Sequence, residues 1–412
     1  MNAFACLFLS LLILTTALQL WLARRHIACI RAHRGAVPMA FAADISLEAH
    51  QKAADYSVAK TRLGMTQGVV EAVLLWAFTL GGVLQWLDAA WNSAWPVLML
   101  AHGALVILTV FVISGLIGLP FDYYKTFVID ARFGFNKMTR AMFLLDLLKS
   151  TLVGLALGVP LLLAALWLMR GAGDLWWFYL WLLWSGFSLL MLAIYPTLIA
   201  PLFNKFSPLA DETLKTRIET LLTRCGFKSQ GLFVMDGSRR SSHGNAYFTG
   251  FGAAKRVVFF DTLLDRLNAD EIEAVLAHEL GHFKHKHIIK RIVLMFVTSF
   301  AGLALLGWLA QQPWFYTGLG VDGASNHMAL LLFILVSPVF TLLLRPLFAL
   351  YSRKNEFEAD AYAAQHASAR HLIEALVKLY RDNASTLTPD PLHSAFHDTH
   401  PPASIRIARL QA

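Results

Sequence analysis

The sequence predicts an α-helical polytopic membrane protein of seven transmembrane helices with a polar, partly β-structured unit on one face. Three observations predict it. Of 412 residues, 57% are apolar and only 15% charged, against about 45–50% and 25% in an average soluble domain. So few charges would not cover a soluble protein of this size. Seven stretches are long and apolar enough to cross about 30 Å of hydrocarbon, near 3–23, 66–87, 97–120, 149–170, 175–200, 289–310 and 327–350. Finally, Lys and Arg gather in alternate connections between them. The net charge of +8 therefore reflects loop cations on one side of a membrane, and no nucleic-acid partner is expected. Cys6, Cys29 and Cys225 are odd in number with no CxxC spacing, which excludes a disulfide framework or a zinc ribbon.

The stretch 3–23 has no basic residue ahead of it, and Arg24 and Arg25 follow it, the pattern of a retained span rather than a cleaved signal. Connection 24–64 holds Arg24, Arg25, Arg31, Arg34, Lys52, Lys60 and Arg62, whereas 88–96 has no Lys or Arg. Connection 121–148 holds Lys125, Arg132, Lys137 and Arg140; the next has only Arg170. The long connection 201–288 is basic, 311–326 has no Lys or Arg, and the tail from 351 is basic again. The alternation is complete, so the basic side is cytoplasmic and the N-terminus lies outside. The chain divides into 1–200 (five spans and their loops), 201–288 (a cytoplasmic unit), 289–350 (two spans) and 351–412 (a cytoplasmic C-terminal region). The two polar units share a face and can pack together.

Within 201–288, residues 211–225 have helical spacing and 232–236 read as a strand. Turns follow at 237–244, then two strands, 245–251 and 256–260, joined by a Gly-containing turn. A helix starts near 269, where Asn268 and Glu271 have N-cap and N3 spacing. Ile272, Val275, Leu276, Leu280 and Phe283 form its apolar face. This helix carries His278-Glu279-Leu280-Gly281-His282. Two histidines at i and i+4 project one turn apart from one face and can share a zinc ion. Glu279 sits beside them, placed to take a proton from water rather than to bind the ion.

A catalytic zinc needs a third protein ligand. A metzincin would carry Gly and His at positions 285 and 288, where this chain has His285 and Ile288. His285 and His287 read as a basic, wet helix end at the membrane interface. Glu356 is the better ligand. The sixth span begins about seven residues after His282 and the seventh ends about six before Glu356, so both lie about 10 Å beyond the membrane at 1.5 Å per residue. Asp360, at i+4 from Glu356, can accept the free ring N–H of a zinc histidine. Glu358 points to the opposite side and is expected to be solvated.

Six segments in order carry a resemblance: HQKAADYSVAKTRLG (50–64), LPFDYYKTFVIDARFGFNKMT (119–139), SHGNAYFTGF (242–251), AHELGHFKHKH (277–287), SRKNEFEADAYA (352–363) and HDTHPPASIRI (397–407). With seven spans, the chain resembles the type I CAAX prenyl protease family, integral-membrane zinc endopeptidases that process the C-terminal region of prenylated proteins. The resemblance implies seven helices enclosing a water-filled intramembrane chamber, closed by a cytoplasmic gluzincin-like zinc protease domain with a small β-hairpin sheet. It places one Zn2+ on His278, His282 and Glu356, the general base on Glu279, a transition-state histidine on His400 and a nearby arginine on Arg406. It sets Asn245 and Ala246 beside the substrate, where a strand edge can pair with an extended peptide. The implied partners are a peptide or protein substrate, prenylated in the family, and the lipid bilayer.

A short, Ala- and Leu-rich chain without an obvious C-terminal retrieval signal looks bacterial. The expected location is then a bacterial inner membrane, or the ER membrane for a eukaryotic chain. A membrane quality-control metalloprotease with no prenyl requirement is the alternative function; it shares the HExxH and EFEAD-like motifs but not the HPP tail. A site-2-type intramembrane protease is disfavoured, because Glu271, Glu273, Lys284 and Lys286 keep the motif helix out of lipid. A transporter is disfavoured by spans that are plain Leu/Ala/Trp runs without broken or charged centres.

Overall fold

The computed structural model describes residues 2–94, 99–227, 231–249 and 256–412. The first half is built from α1 (Ala3–Ala32), α2 (Leu47–Phe78), α3 (Val83–Ala94), α4 (Met99–Tyr124), α5 (Arg140–Gly171) and α6 (Trp176–Ile194). Side-chain caps start several of them: Asn2 Oδ1 accepts from Ala5 N at 2.8 Å, Ser46 Oγ from Ala49 N at 3.1 Å, and Thr139 Oγ1 from Met142 N at 3.2 Å. Each satisfies a donor that the first helical turn leaves open.

Among the described residues, six helical stretches are long and apolar enough to cross a membrane, or seven when α2 and α3 count as one span bent by 54°. The span read as 66–87 straddles that bend. Gly82 has φ 76°, a left-handed conformation that costs glycine little, and the chain turns there. Helices also run well past the apolar stretches. α1 continues to Ala32 and α2 begins at Leu47, so the connection read as 24–64 is largely helix. Apolarity marks only what lipid surrounds; the backbone ladder continues into water. The last span likewise runs on, from Asn326–Thr341 through one tight turn at Leu342–Leu344 into Arg345–His366.

The largest core the spans share lies at one end. Phe8, Leu84, Val106, Ile107, Leu166, Leu306, Leu319 and Leu331 share a core there. In α5 the only buried residues are Ala165, Leu166 and Met169, near its C-terminal end. Five of the six spans bury only 6–22% of their most apolar stretch. Helices that meet at one end and stand apart below it leave room between them for the water-filled chamber the resemblance implies.

At the other end lies a sheet of four strands among the described residues: β1 (Phe206–Pro208), β2 (Leu232–Met235), β3 (Ala246–Thr249) and β4 (Arg256–Phe260), in the order β1-β2-β4-β3. The hairpin read from the sequence is the β3–β4 pair, Ala246 opposite Phe259; its turn, 250–255, lies outside the described residues. β1 and the parallel pairing of β2 with β4 are additions. The core beneath joins Val257 and Phe259 of the sheet to Ile218, Leu221, Ile272, Ala277, Leu280 and Ala363. Two contacts tie this unit to the membrane helices. Arg240 grips Asp146 of α5 through two bonds of 2.8 and 3.0 Å. Asn136 also bridges to Ser241, which fixes the segment leading into β3.

Candidate metal centre

The HExxH helix spans Ala269–Lys284 and opens with a complete capping box: Asn268 Oδ1 accepts from Glu271 N, and Glu271 returns to Asn268 N. Glu271 is buried and paired with Lys378 at 2.6 Å, so the helix start is held from two sides. Its far end packs against the helix Arg345–His366. Gly281 makes that approach possible: a Cβ there would meet Ala359 Cα at 2.8 Å and Tyr362 Cβ at 3.1 Å. The glycine inside the motif is what lets Glu356 come within reach of two histidines one helix away.

The structure brings His278, His282 and Glu356 together, with one ligand atom from each within 4.8 Å of the others. His278 Nε2 and His282 Nε2 are 3.3 Å apart. Glu356 Oε2 is 3.5 Å from the first and Oε1 is 3.4 Å from the second. The other ring nitrogens are engaged elsewhere. His278 Nδ1 lies 2.8 Å from Asp360 Oδ1, and a carboxylate can only accept, so Nδ1 carries the proton. Arg406 holds Asp360 through a fork, Nε to Oδ2 at 2.8 Å and Nη2 to Oδ1 at 2.5 Å.

His287 and Glu358 depart from the expectation of a wet helix end and a solvated carboxylate. His287 is buried; its Nε2 lies 2.9 Å from Glu358 Oε2 and its Nδ1 3.0 Å from His282 Nδ1. Glu358 accepts from His287, which leaves His287 Nδ1 free to accept from His282 Nδ1–H. Both histidines of the motif thus have Nδ1 engaged elsewhere and turn Nε2 on one point, where a bound metal would replace any proton on Nε2. Beside them, among the described residues, Glu356 Oε2 is buried without a hydrogen-bond partner. The donor set fits a tetrahedral metal ion with one position open.

The charges agree. Burial opposes the imidazolium of His278, but Asp360 and Glu356 outweigh it and hold this ring up at about 9. The carboxylates thus attract a cation to this point. Burial, and then the charge on His278, push His282 down to about 4. Burial pushes the Glu279 carboxyl above its ordinary range.

The remaining candidates lie around this point at different depths. His400 is exposed, with Nε2 3.5 Å from Glu356 Oε1. Arg406 is buried; its fork is taken by Asp360, and its Nη1 lies 3.8 Å from Glu356 Oε2. Asn245 is exposed at the head of β3, and its carbonyl accepts from Phe260 N at 3.0 Å. β3 is one of the two edge strands, with Ala246 its first residue, and its Phe248 packs edge-on against Phe283 of the motif helix at 5.1 Å. Among the described residues, a strand edge without a pairing strand therefore runs beside the HExxH helix.

Residues 26–205 match the CAAX prenyl protease N-terminal family, described as five membrane helices, and residues 208–412 match peptidase family M48. A CAAX prenyl protease 1 homolog of Arabidopsis thaliana is 37% identical, covering 91% of this chain and 90% of its own. The Caenorhabditis elegans homolog is 34% identical over 99% and 98%. The chain belongs to the CAAX prenyl protease family. The crystal structure of S. mikatae Ste24p superimposes with a TM-score of 0.92 at 30% identity, covering both chains fully. This member of the family is accordingly a membrane-embedded metallopeptidase. Three parts of its centre were missed by motif reading: Gly281 as the close-packing point, the His287–Glu358 pair, and Arg353. Arg353 donates to Asp398 O at 3.2 Å and Ser394 Oγ at 3.1 Å, which anchors the segment that presents His400.

Proposed function

We propose that the chain is a zinc endopeptidase that cleaves near the C-terminus of prenylated proteins, with His278, His282 and Glu356 as the zinc ligands. The observation that carries this reading is the convergence of two Nε2 atoms and an unpartnered Glu356 oxygen on one point, with Glu279 beside it. Zinc supplies Lewis-acid chemistry there, polarising the scissile carbonyl and lowering the pKa of water. Glu279 takes the proton of the attacking water and returns it to the leaving amine; a carboxyl raised by burial suits both halves of that task. His400, on the exposed side, stabilises the developing oxyanion. Asp360 holds the proton of His278 and so orients its ring, and Arg406 holds Asp360. Arg406 reaches the transition state through that contact. The edge of β3, led by Asn245 and Ala246, pairs with the substrate backbone, which suits an extended peptide of varied side chains.

The relatives named CAAX prenyl protease 1 support a prenylated substrate. So does a cavity of about 530 Å³ whose lining is mostly apolar, Leu63, Pro120, Phe121 and Val128 among it, with Arg62 and Arg132 also at its wall, of a size that suits a lipid tail. None of the proposed catalytic residues lines it, so it would take the tail and not the scissile bond. The test is cleavage of one peptide with and without its isoprenoid. Burying even two methylene equivalents at about 0.8 kcal/mol each favours the prenylated form about tenfold in kcat/KM. Equal rates would favour a quality-control protease.

The centre faces the cytoplasm on the charge of the connections, in a bacterial inner membrane or, in a eukaryotic cell, the ER membrane. In a chain lacking Cys6, Cys29 and Cys225, an impermeant thiol reagent applied outside intact bacterial cells is expected to label Ser93→Cys and spare Ser207→Cys. The reverse pattern would place proteolysis on the other side.

A further inference from the structure

We propose that a second transition-metal site, of the zinc class, lies at the opposite end of the spans, on Asp88, His102 and His327. The three residues come from three helices: Asp88 from α3, His102 from the start of α4, and His327 from the start of Asn326–Thr341. His102 Nε2 lies 2.7 Å from Asp88 Oδ1 and His327 Nε2 lies 2.8 Å from the same oxygen. The rings are 5.2 Å apart and near perpendicular, at 78°. Ser325 Oγ is 3.4 Å from His327 Nε2, a further oxygen on the same side. Two imidazole nitrogens and a carboxylate within 4.8 Å of one another are a donor set that suits zinc, with one position left for water. All three side chains keep partial exposure, 28% for Asp88, 13% for His102 and 14% for His327, so an ion has a path in.

Gly103 shows that the arrangement is built. A Cβ there would lie 2.7 Å from His327 Cβ and 2.9 Å from its Cγ, so the imidazole sits where any other residue on α4 would displace it. The cluster also has a mechanical consequence. It ties α3, which follows the 54° bend, to two helices of the packed end, so a bound ion would brace the broken span.

The affinity is expected to be lower than that of the HExxH centre. His278 and His282 each hand their second ring nitrogen to a partner, whereas among the described residues His102 Nδ1 is buried with none. A missing outer hydrogen bond weakens a site by about 10–100-fold. Zinc here is therefore the first to leave under a chelator.

The test counts zinc in the purified full-length protein, dialysed against micromolar free zinc, for wild type, Asp88→Asn and Glu356→Ala. Wild type is expected to hold one zinc more than Asp88→Asn, and Asp88→Asn to keep its peptidase rate, which shows that it folds. Glu356→Ala is expected to keep a chelator-labile ion and, with cobalt, to show d–d bands that are lost on adding His327→Gln. Equal zinc in wild type and Asp88→Asn overturns the site. Should Asp88→Asn fail to fold, Glu356→Ala decides: no zinc and no cobalt spectrum there overturns it equally. Loss of zinc at the HExxH centre alone leaves the difference between wild type and Asp88→Asn intact, so the two readings fail separately.

Discussion

Glu279→Gln is expected to abolish turnover while the metal stays bound. The substitution keeps the side-chain volume at a half-buried position and removes only the group that moves the proton. General-base catalysis contributes about 10²–10⁴ in rate, equivalent to about 2.7–5.4 kcal/mol of barrier. The fall belongs in kcat, with zinc content and thermal unfolding unchanged, because no contact to His278, His282 or Glu356 is removed. Zinc analysis and steady-state kinetics on the same preparation separate the two quantities. A variant that cleaves at a near-normal rate would remove Glu279 from the mechanism. One that has lost its zinc would mean that the carboxylate holds the ion.

Glu356→Ala should lose the metal, and Glu358→Ala should keep it more loosely. Glu356 places both oxygens within 3.5 Å of the two imidazole Nε2 atoms, and its removal leaves two neutral donors and a buried gap. Glu358 acts at a distance, by accepting from His287, which accepts from His282. Without Glu358, His287 can present a proton to His282 and turn that ring to the wrong tautomer. Outer hydrogen-bond partners carry about 10–100-fold in metal affinity, and one this far out should fall near the lower figure. Glu356→Ala should exceed that range. Competition against a chelator ranks wild type, Glu358→Ala and Glu356→Ala in that order. Glu358→Gln, which still offers a carbonyl oxygen to His287, should recover much of the loss. An empty Glu358→Ala beside a loaded Glu356→Ala would exchange their assignments.

What could be read from the sequence was set within single helices or by the membrane. Polar and apolar composition decided which stretches cross lipid. The 3.6-residue period placed His278 beside His282, and Asp360 on the face of Glu356, because i and i+4 share a side of any helix. The equal distance of His282 and Glu356 from the ends of the apolar stretches pointed to the pairing of the two helices that the structure shows.

Tertiary structure decided the rest. Lys286, at φ 55°, breaks the helix between His282 and His287 and restarts it in a new direction, so extrapolating the period of the motif helix misplaces His287. The ring is turned back onto His282 instead. Glu358 does lie across the helix from Glu356, yet that side, still partly open to water, also faces His287. Gly281 matters only because Ala359 of another helix lies against it. Asp88 and His327 are 239 positions apart, and only the bend after α2 and the packing of the spans bring them together. Periodicity repeats along one backbone, whereas the crossing of two helices depends on side chains distant in sequence, and at these points the crossing settled which groups meet.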